Sequence, residues 1–411
     1  MRERLPPALR MPEFALVWTS SLASGLAAQM LAVAIGWQVY AIRRNPLDLG
    51  LIGLAEFLPL PLLALPSGQL ADRVSRRLVG AGSLVLDVAI AAVLAAITLA
   101  GAHRLWPFLA VAVIAGAASA IGNPATRALT PEIVPSELLQ EALALRSIAG
   151  TIGIVVGPAL GGVVFAVEPV AVYACAGALF SVALTAIILL PRRGAPGRPE
   201  APPDWESLVA GVRFILHARI ILGAVLLDLF AVLFGDAIAL APVFARTILD
   251  VGPVGLGMLR SAPAVGALLA GVMLTRRPLR RAAGATLLFV VAVFGAATIV
   301  FGLSRWLPLS LVALSVTGFA DMISMNIRAT TVAVVTPLAL QGRVNAVEWV
   351  FISASNELGA FESGAVASLI GTVRCVVLGG SLMIALALAW RRLFPELARM
   401  GPLEELRPKP A

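Results

Sequence analysis

Charge is what this chain has least of. Only 13% of its 411 residues are Asp, Glu, Lys or Arg, against about a quarter in an ordinary soluble domain. One enlarged core cannot explain the deficit, because single cores stop growing at about 250–300 residues. Lysine is missing except for Lys409. A GxxxxGK[ST] phosphate loop is therefore excluded, and with it direct drive by ATP. The two histidines, His103 and His217, stand at the ends of apolar runs, far from any second ligand. No HExxH and no zinc spacing occurs. Cys175 and Cys375 are isolated and make neither a disulfide framework nor a metal signature. Ser-Gly pairs such as Ser67-Gly68 lack a partnered His, so a membrane hydrolase is a weak rival. No metal or cofactor is expected.

Apolar residues are abundant instead. They make up 59% of the chain, and the mean hydropathy is +0.95. Apolar runs long enough to span a bilayer recur along the whole length. The pattern predicts twelve spans near 13–41, 49–71, 78–101, 106–128, 139–167 and 169–191, then 219–246, 254–275, 282–303, 307–333, 343–371 and 373–393. All should be helices, because lipid offers backbone groups no partner outside their own segment. Met1 to Arg10 is basic but runs into a full-length span without a small-residue cleavage site, so no removable signal peptide is expected.

The net charge of +8 and the pI near 10.9 would suggest nucleic acid in a soluble protein. Here the arginines lie between apolar runs, so topology explains them and no nucleic-acid partner is expected. Arg-rich connectors (73–77, 192–198, 276–281 and 391–399) alternate with Arg-poor ones, which puts both termini in the cytoplasm. Trp18, Trp37 and Tyr40 near span ends suit interface anchors.

The chain breaks in the middle. Residues 1–191 are expected to form one six-helix bundle and 219–393 another, with a cytoplasmic tail at 394–411. Between them, 192–218 reads as a Pro/Gly/Arg linker followed by an amphipathic helix over Asp204–Leu216. The halves echo each other. Gly68-Gln69-Leu70-Ala71-Asp72-Arg73 and Gly271-Val272-Met273-Leu274-Thr275-Arg276 end matching spans, and Thr130-Pro131 recurs as Thr336-Pro337 at nearly the same offset. That is the duplicated pattern of transporters that rock two halves around a midplane site.

Residues 68–77 read GQLADRVSRR. This resembles the signature between helices 2 and 3 of the major facilitator superfamily, with Ser75 where glycine is usual. Asp72 can satisfy Arg73, Arg76 or Arg77, or accept from a helix N-terminus. The resemblance implies a cytoplasmic gate of Gly68, Asp72, Arg73, Arg76 and Arg77 that latches against helix 11; otherwise the arginines only set topology. Gly153, Gly157, Pro158, Gly161 and Gly162 in span 5 resemble the motif of drug–proton antiporters in the same superfamily. Glycines one turn apart make a flat face for close packing, and Pro158 bends the helix. This helix is expected against helix 8, shaping the path. The midmembrane Arg that many such antiporters carry in span 4 is missing, since Arg127 lies at the end of that span. The stretch GNPATRALTPEIVP is closer to the branch of enterobactin exporters and macrolide efflux proteins. The resemblance covers essentially the whole chain.

Ionisable groups at membrane depth are costly and mark function by default. Asp228, Asp236, Asp321, Glu357 and Glu362 are candidate proton carriers, because both histidines lie at span ends. Polar glue between helices is the plainer alternative. Gln29, Gln38, Glu56, Asp87, Arg260 and Asn356 are candidate cavity or substrate contacts, and Arg260 is within reach of Asp236 across neighbouring helices. The expected fold is an all-α membrane protein of the major facilitator type. The expected function is a secondary active, proton-coupled exporter of small amphipathic molecules, drug-like or siderophore-like, in a bacterial inner membrane. It would have no obligate protein partner and would not be an enzyme. The alternatives are an importer or facilitator on the same fold, or a non-transporting sensor or assembly factor.

Overall fold

The computed structural model describes residues 6–63, 74–101, 103–191, 212–235, 237–276, 282–337 and 340–402. Twelve long helices dominate these residues, and there is no strand among them. They are α1 (Pro12–Arg43), α2 (Pro46–Leu63), α3 (Arg76–Leu99), α4 (Trp106–Ile133), α5 (Ser136–Val167) and α6 (Pro169–Ile188). Then follow α7 (Arg219–Ile248), α8 (Gly252–Arg276), α9 (Ala283–Leu303), α10 (Leu307–Val335), α11 (Gln341–Ile370) and α12 (Thr372–Leu393). All except α11 are both long and apolar enough to cross a membrane. α11 is 30 residues long but carries Arg343, Glu348, Glu357 and Glu362. Of the amphipathic helix expected after the linker, only the helical turn 212–217 lies within the described residues.

The helix ends follow from local chemistry. α1 stops at Arg44, which adopts a left-handed φ of 53°. Asn45 then starts α2, its side-chain oxygen accepting from the Leu47 N–H at 3.0 Å, and the ring of Pro46 fits the first helical position. Gly371, at φ 94°, turns α11 into α12, a backbone state that only glycine adopts without strain. α7 is the irregular one. It passes from α-helix through a 3₁₀ turn at Ala237–Leu240 to a π-helical turn at Phe244–Ile248. Pro242 lies in that stretch and cannot donate to it.

Many large apolar side chains stand exposed. Val167, Leu369, Phe289 and Trp306 are largely exposed, which fits a protein whose solvent is lipid. Interiors are built by close helix approach. The contacts divide the chain into two compact units, neither a single stretch of sequence. Unit 1 comprises Met1–Arg44, Leu51–Pro202 and Asp250–Ser261; unit 2 comprises Asn45–Gly50, Pro203–Leu249 and Ala262–Ala411. In unit 1, α1 packs on α5 and α6, and α3 on α4 and α6. In unit 2, α9 packs on α10 and α12, and α7 on α11 and α12. The chain end belongs to unit 2. After the short helix Pro395–Ala398, the carbonyls of Met400 and Gly401 accept from the Gly284 and Ala283 N–H groups at 3.1 and 3.3 Å. They satisfy donors that the first turn of α9 leaves open.

Candidate functional site

Each unit holds a polar cavity, and the two differ in how their arginines are satisfied. In unit 2 the cavity has a volume of about 200 Å³. Val232, Phe294, Val290 and Met383 supply apolar walls; Thr317, Asp321, Ser324, Arg328 and Asn356 supply polar ones. Asp321, Ser324 and Arg328 recur every three or four residues, so α10 presents them on one face. Arg328 forms an ion pair with Asp228 of α7, lies 3.9 Å from an Asp321 oxygen, and donates through Nε to the Ser324 carbonyl at 3.4 Å. The Glu348 carboxylate of α11 is near enough to act on the Arg328 charge. The Arg328 and Asp228 side chains are only 10% and 15% exposed, whereas Asp321 is 56% exposed and opens to the cavity. One cation thus faces three carboxylates from three helices.

In unit 1 the cavity is larger, about 380 Å³. Ser20, Ser21 and Ser24 of α1, Ser83 and Asp87 of α3, Ser119, Asn123, Thr126 and Arg127 of α4 and Arg146 of α5 line it. Arg146 donates from Nη1 to the carbonyls of Thr126 and Arg127 and to the Thr130 hydroxyl, each at 3.0 Å. The sequence explains why these acceptors are open. Pro131 lies inside α4 and has no N–H, so the Arg127 carbonyl four residues earlier loses its helical donor. Arg146 supplies the missing donor. Its partners are neutral, so its positive charge is not cancelled by them.

The remaining sequence-predicted residues fall in several places. Gly68, Asp72 and Arg73 of the gate motif lie outside the described residues. Arg76 donates to the Ala128 carbonyl at 3.3 Å and pairs with Glu132 at 3.4 Å. Arg77 donates to the carbonyls of Ile187, at 3.2 Å, and Ile188. The arginine pair thus fastens the start of α3 to the ends of α4 and α6. Cationic donors at helix C-termini satisfy the last carbonyls and the dipole.

The glycine stripe of α5 lies mainly against α1 rather than α8. A Cβ at Gly153 would stand 3.1 Å from the Gly25 carbonyl carbon, one at Gly157 2.6 Å from Gln29 Cβ, and one at Gly161 2.8 Å from Met30 Cα. Gly162 faces Pro253 and Gly257 at the start of α8, and Pro158 faces Gly257 there. The expected approach of α5 to α8 is thus present at Pro158 and Gly162, and the stripe meets α1 as well, because glycine spacing specifies closeness and not the partner. Gln29 serves this packing. Gln38 is buried in a knot, donating to the Thr98 hydroxyl at 3.0 Å and accepting from Tyr173 at 2.6 Å, so its amide is already engaged. Asp236 lies outside the described residues. Among the described residues, Glu56 of α2 feels the charge of Arg260. Asn356 lines the unit 2 cavity, whereas Glu362 lines a small separate void with Ser363 and Cys375. Glu357 is half-buried on α11. Arg328, Glu348 and Arg146 were not singled out from the sequence. The signals were present: Arg328 stands two turns after Asp321 on α10, and Arg146 faces a proline-freed carbonyl.

The family model described as "Transmembrane secretion effector" matches residues 5–406. The chain belongs to this family of the major facilitator superfamily. The enterobactin exporter EntS of Citrobacter koseri (strain ATCC BAA-895 / CDC 4225-83 / SGSC4696) is 27% identical over 403 residues, 94% of this chain and 93% of that one. EntS of Shigella boydii serotype 18 is 28% identical over 349 residues, 81% of this chain and 80% of its own. Among solved structures, a bacterial homolog of the human lysosomal transporter Spinster, in an inward-facing and occupied conformation, aligns with a TM-score of 0.74. It covers 99% of this chain and 100% of its own at 14% identity, a likeness of fold alone. This transporter is accordingly a multi-pass membrane protein of the major facilitator type, and its relatives transport rather than catalyse.

Proposed function

We propose that this transporter exports small amphipathic molecules by proton antiport. The observation that carries the reading is the pairing of Arg328 with Asp228 and its approach to Asp321. A charge in a membrane interior costs about 2.5–3.5 kcal/mol on insertion scales. A carboxylate set with one cation is therefore sensitive to protonation, and Arg328 can change partners when Asp228 takes a proton. The kinship with enterobactin exporters supports outward transport and makes siderophore-like compounds first candidates beside drug-like ones. It also supports residence in a bacterial inner membrane. The alternation of Arg-rich and Arg-poor connectors supports cytoplasmic termini. Under this reading GQLADRVSRR is a cytoplasmic gate, and the ties made by Arg76 and Arg77 give it a rigid base. Residues 1–191 and 219–393 would be the two six-helix bundles.

The test is uptake into inverted vesicles of cationic dyes, macrolides and catecholate siderophores under an imposed pH gradient. Uptake that collapses with a protonophore is the expected result. Uptake indifferent to the gradient would remove antiport and leave a facilitator of the same fold.

A further inference from the structure

Arg146 and Asp87 of the unit 1 cavity form no carboxylate–arginine pair among the described residues, and they lie at different depths. At one end stands Arg146, whose partners among the described residues are two carbonyls and a hydroxyl. Arg127 lines the same end. Asp87 lines the cavity too and takes part in no ion pair among the described residues. Depth follows from the packing of α3 on α4, where Gly122 faces Ser83 and Gly80 faces Thr126. Asp87 stands one turn beyond Ser83, which brings it level with Ser119. Arg127 is level with the first turn of α3. The separation is eight residues along α4, about 12 Å at 1.5 Å per residue. Ser24, Ser83, Ser119 and Asn123 occupy the cavity between and beside these levels.

A cavity of about 380 Å³ suits a drug-sized molecule. Its chemistry suits one with unlike ends. An acid group would meet the guanidinium of Arg146, which presents further N–H donors beyond Nη1. A protonated amine or other strong donor would meet Asp87. The serine hydroxyls donate or accept and so tolerate a variable middle. A cation without an acid would leave the arginine end uncompensated, and a simple anion would be repelled by Asp87.

We propose that the unit 1 cavity is a binding site for zwitterions, with the acid group at Arg146 and the basic group at Asp87. The site deepens the transport reading above but does not depend on its proton step.

The test uses the purified full-length chain in lipid nanodiscs and equilibrium dialysis at uniform pH 7. Three probes share a fused bicyclic 4-pyridone core: ciprofloxacin, which carries a carboxylate and an amine at opposite ends; its methyl ester, which lacks the acid; and nalidixic acid, which lacks the amine. Ciprofloxacin should bind about tenfold more tightly than either relative, the factor expected for one charge-assisted contact. Arg146→Gln should make ciprofloxacin and its ester equal, while Arg146→Lys should keep part of the preference. Asp87→Asn should make ciprofloxacin and nalidixic acid equal. It tests the other end without disturbing Arg146, so it decides the matter if Arg146→Gln fails to fold. Equal binding of the three probes to the unaltered chain would overturn the site, as would no ciprofloxacin binding or a preference untouched by Asp87→Asn. Dialysis involves no gradient. A zwitterion preference without gradient-driven uptake would remove antiport alone, and gradient-driven uptake without the preference would remove this site alone.

Discussion

Arg328 in unit 2 and Arg146 in unit 1 are both arginines on long apolar helices beside a cavity, yet they are held by opposite means. Arg328 is neutralised by carboxylates, whereas Arg146 is held by backbone carbonyls and a hydroxyl. Under the proposed proton step, the first arrangement would change when Asp228 is protonated. The second is a permanent positive charge whose position is fixed by the proline in α4. One suits coupling to protons and the other suits recognition of a charged ligand, so a single transporter can separate the two tasks.

The largest effect should come from breaking the carboxylate-held arginine. Arg328→Gln leaves Asp228 buried without its cation, a loss of about 3–5 kcal/mol, visible as a large drop in Tm of the detergent-solubilised protein. The double variant Arg328→Gln with Asp228→Asn removes both charges and should regain most of that loss. Arg146→Gln should cost less, about 1–3 kcal/mol, because its partners are neutral and the carbonyls alone lose a donor. A Tm drop equal to that of Arg328→Gln would erase the contrast. Asp87→Asn should change stability by no more than about 0.5 kcal/mol, since Asp87 supports no ion pair among the described residues. A larger fall in Tm would make Asp87 a structural residue and not a ligand contact.

Much of the fold was legible because lipid imposes one solution on long apolar runs. The spans, the duplicated landmarks and the polar character of α11 follow from composition alone. The site was legible only in part. Asp228, Asp321 and Asp87 stood out because acids at membrane depth are rare. Arg328 and Arg146 did not stand out, because an arginine is common near a span end and its partner lies on another helix. Glycine spacing also left the partner open: the stripe meets α1 along most of its length and α8 at Pro158 and Gly162.

The measurement that tests the division of labour most directly is vesicle transport by Asp228→Asn and Asp87→Asn, with a compound that the unaltered chain carries and the pH gradient varied. Asp228→Asn should lose its response to the gradient while still exchanging substrate, and Asp87→Asn should keep the response with a raised KM. A gradient response that survives Asp228→Asn and disappears in Asp87→Asn would contradict the account.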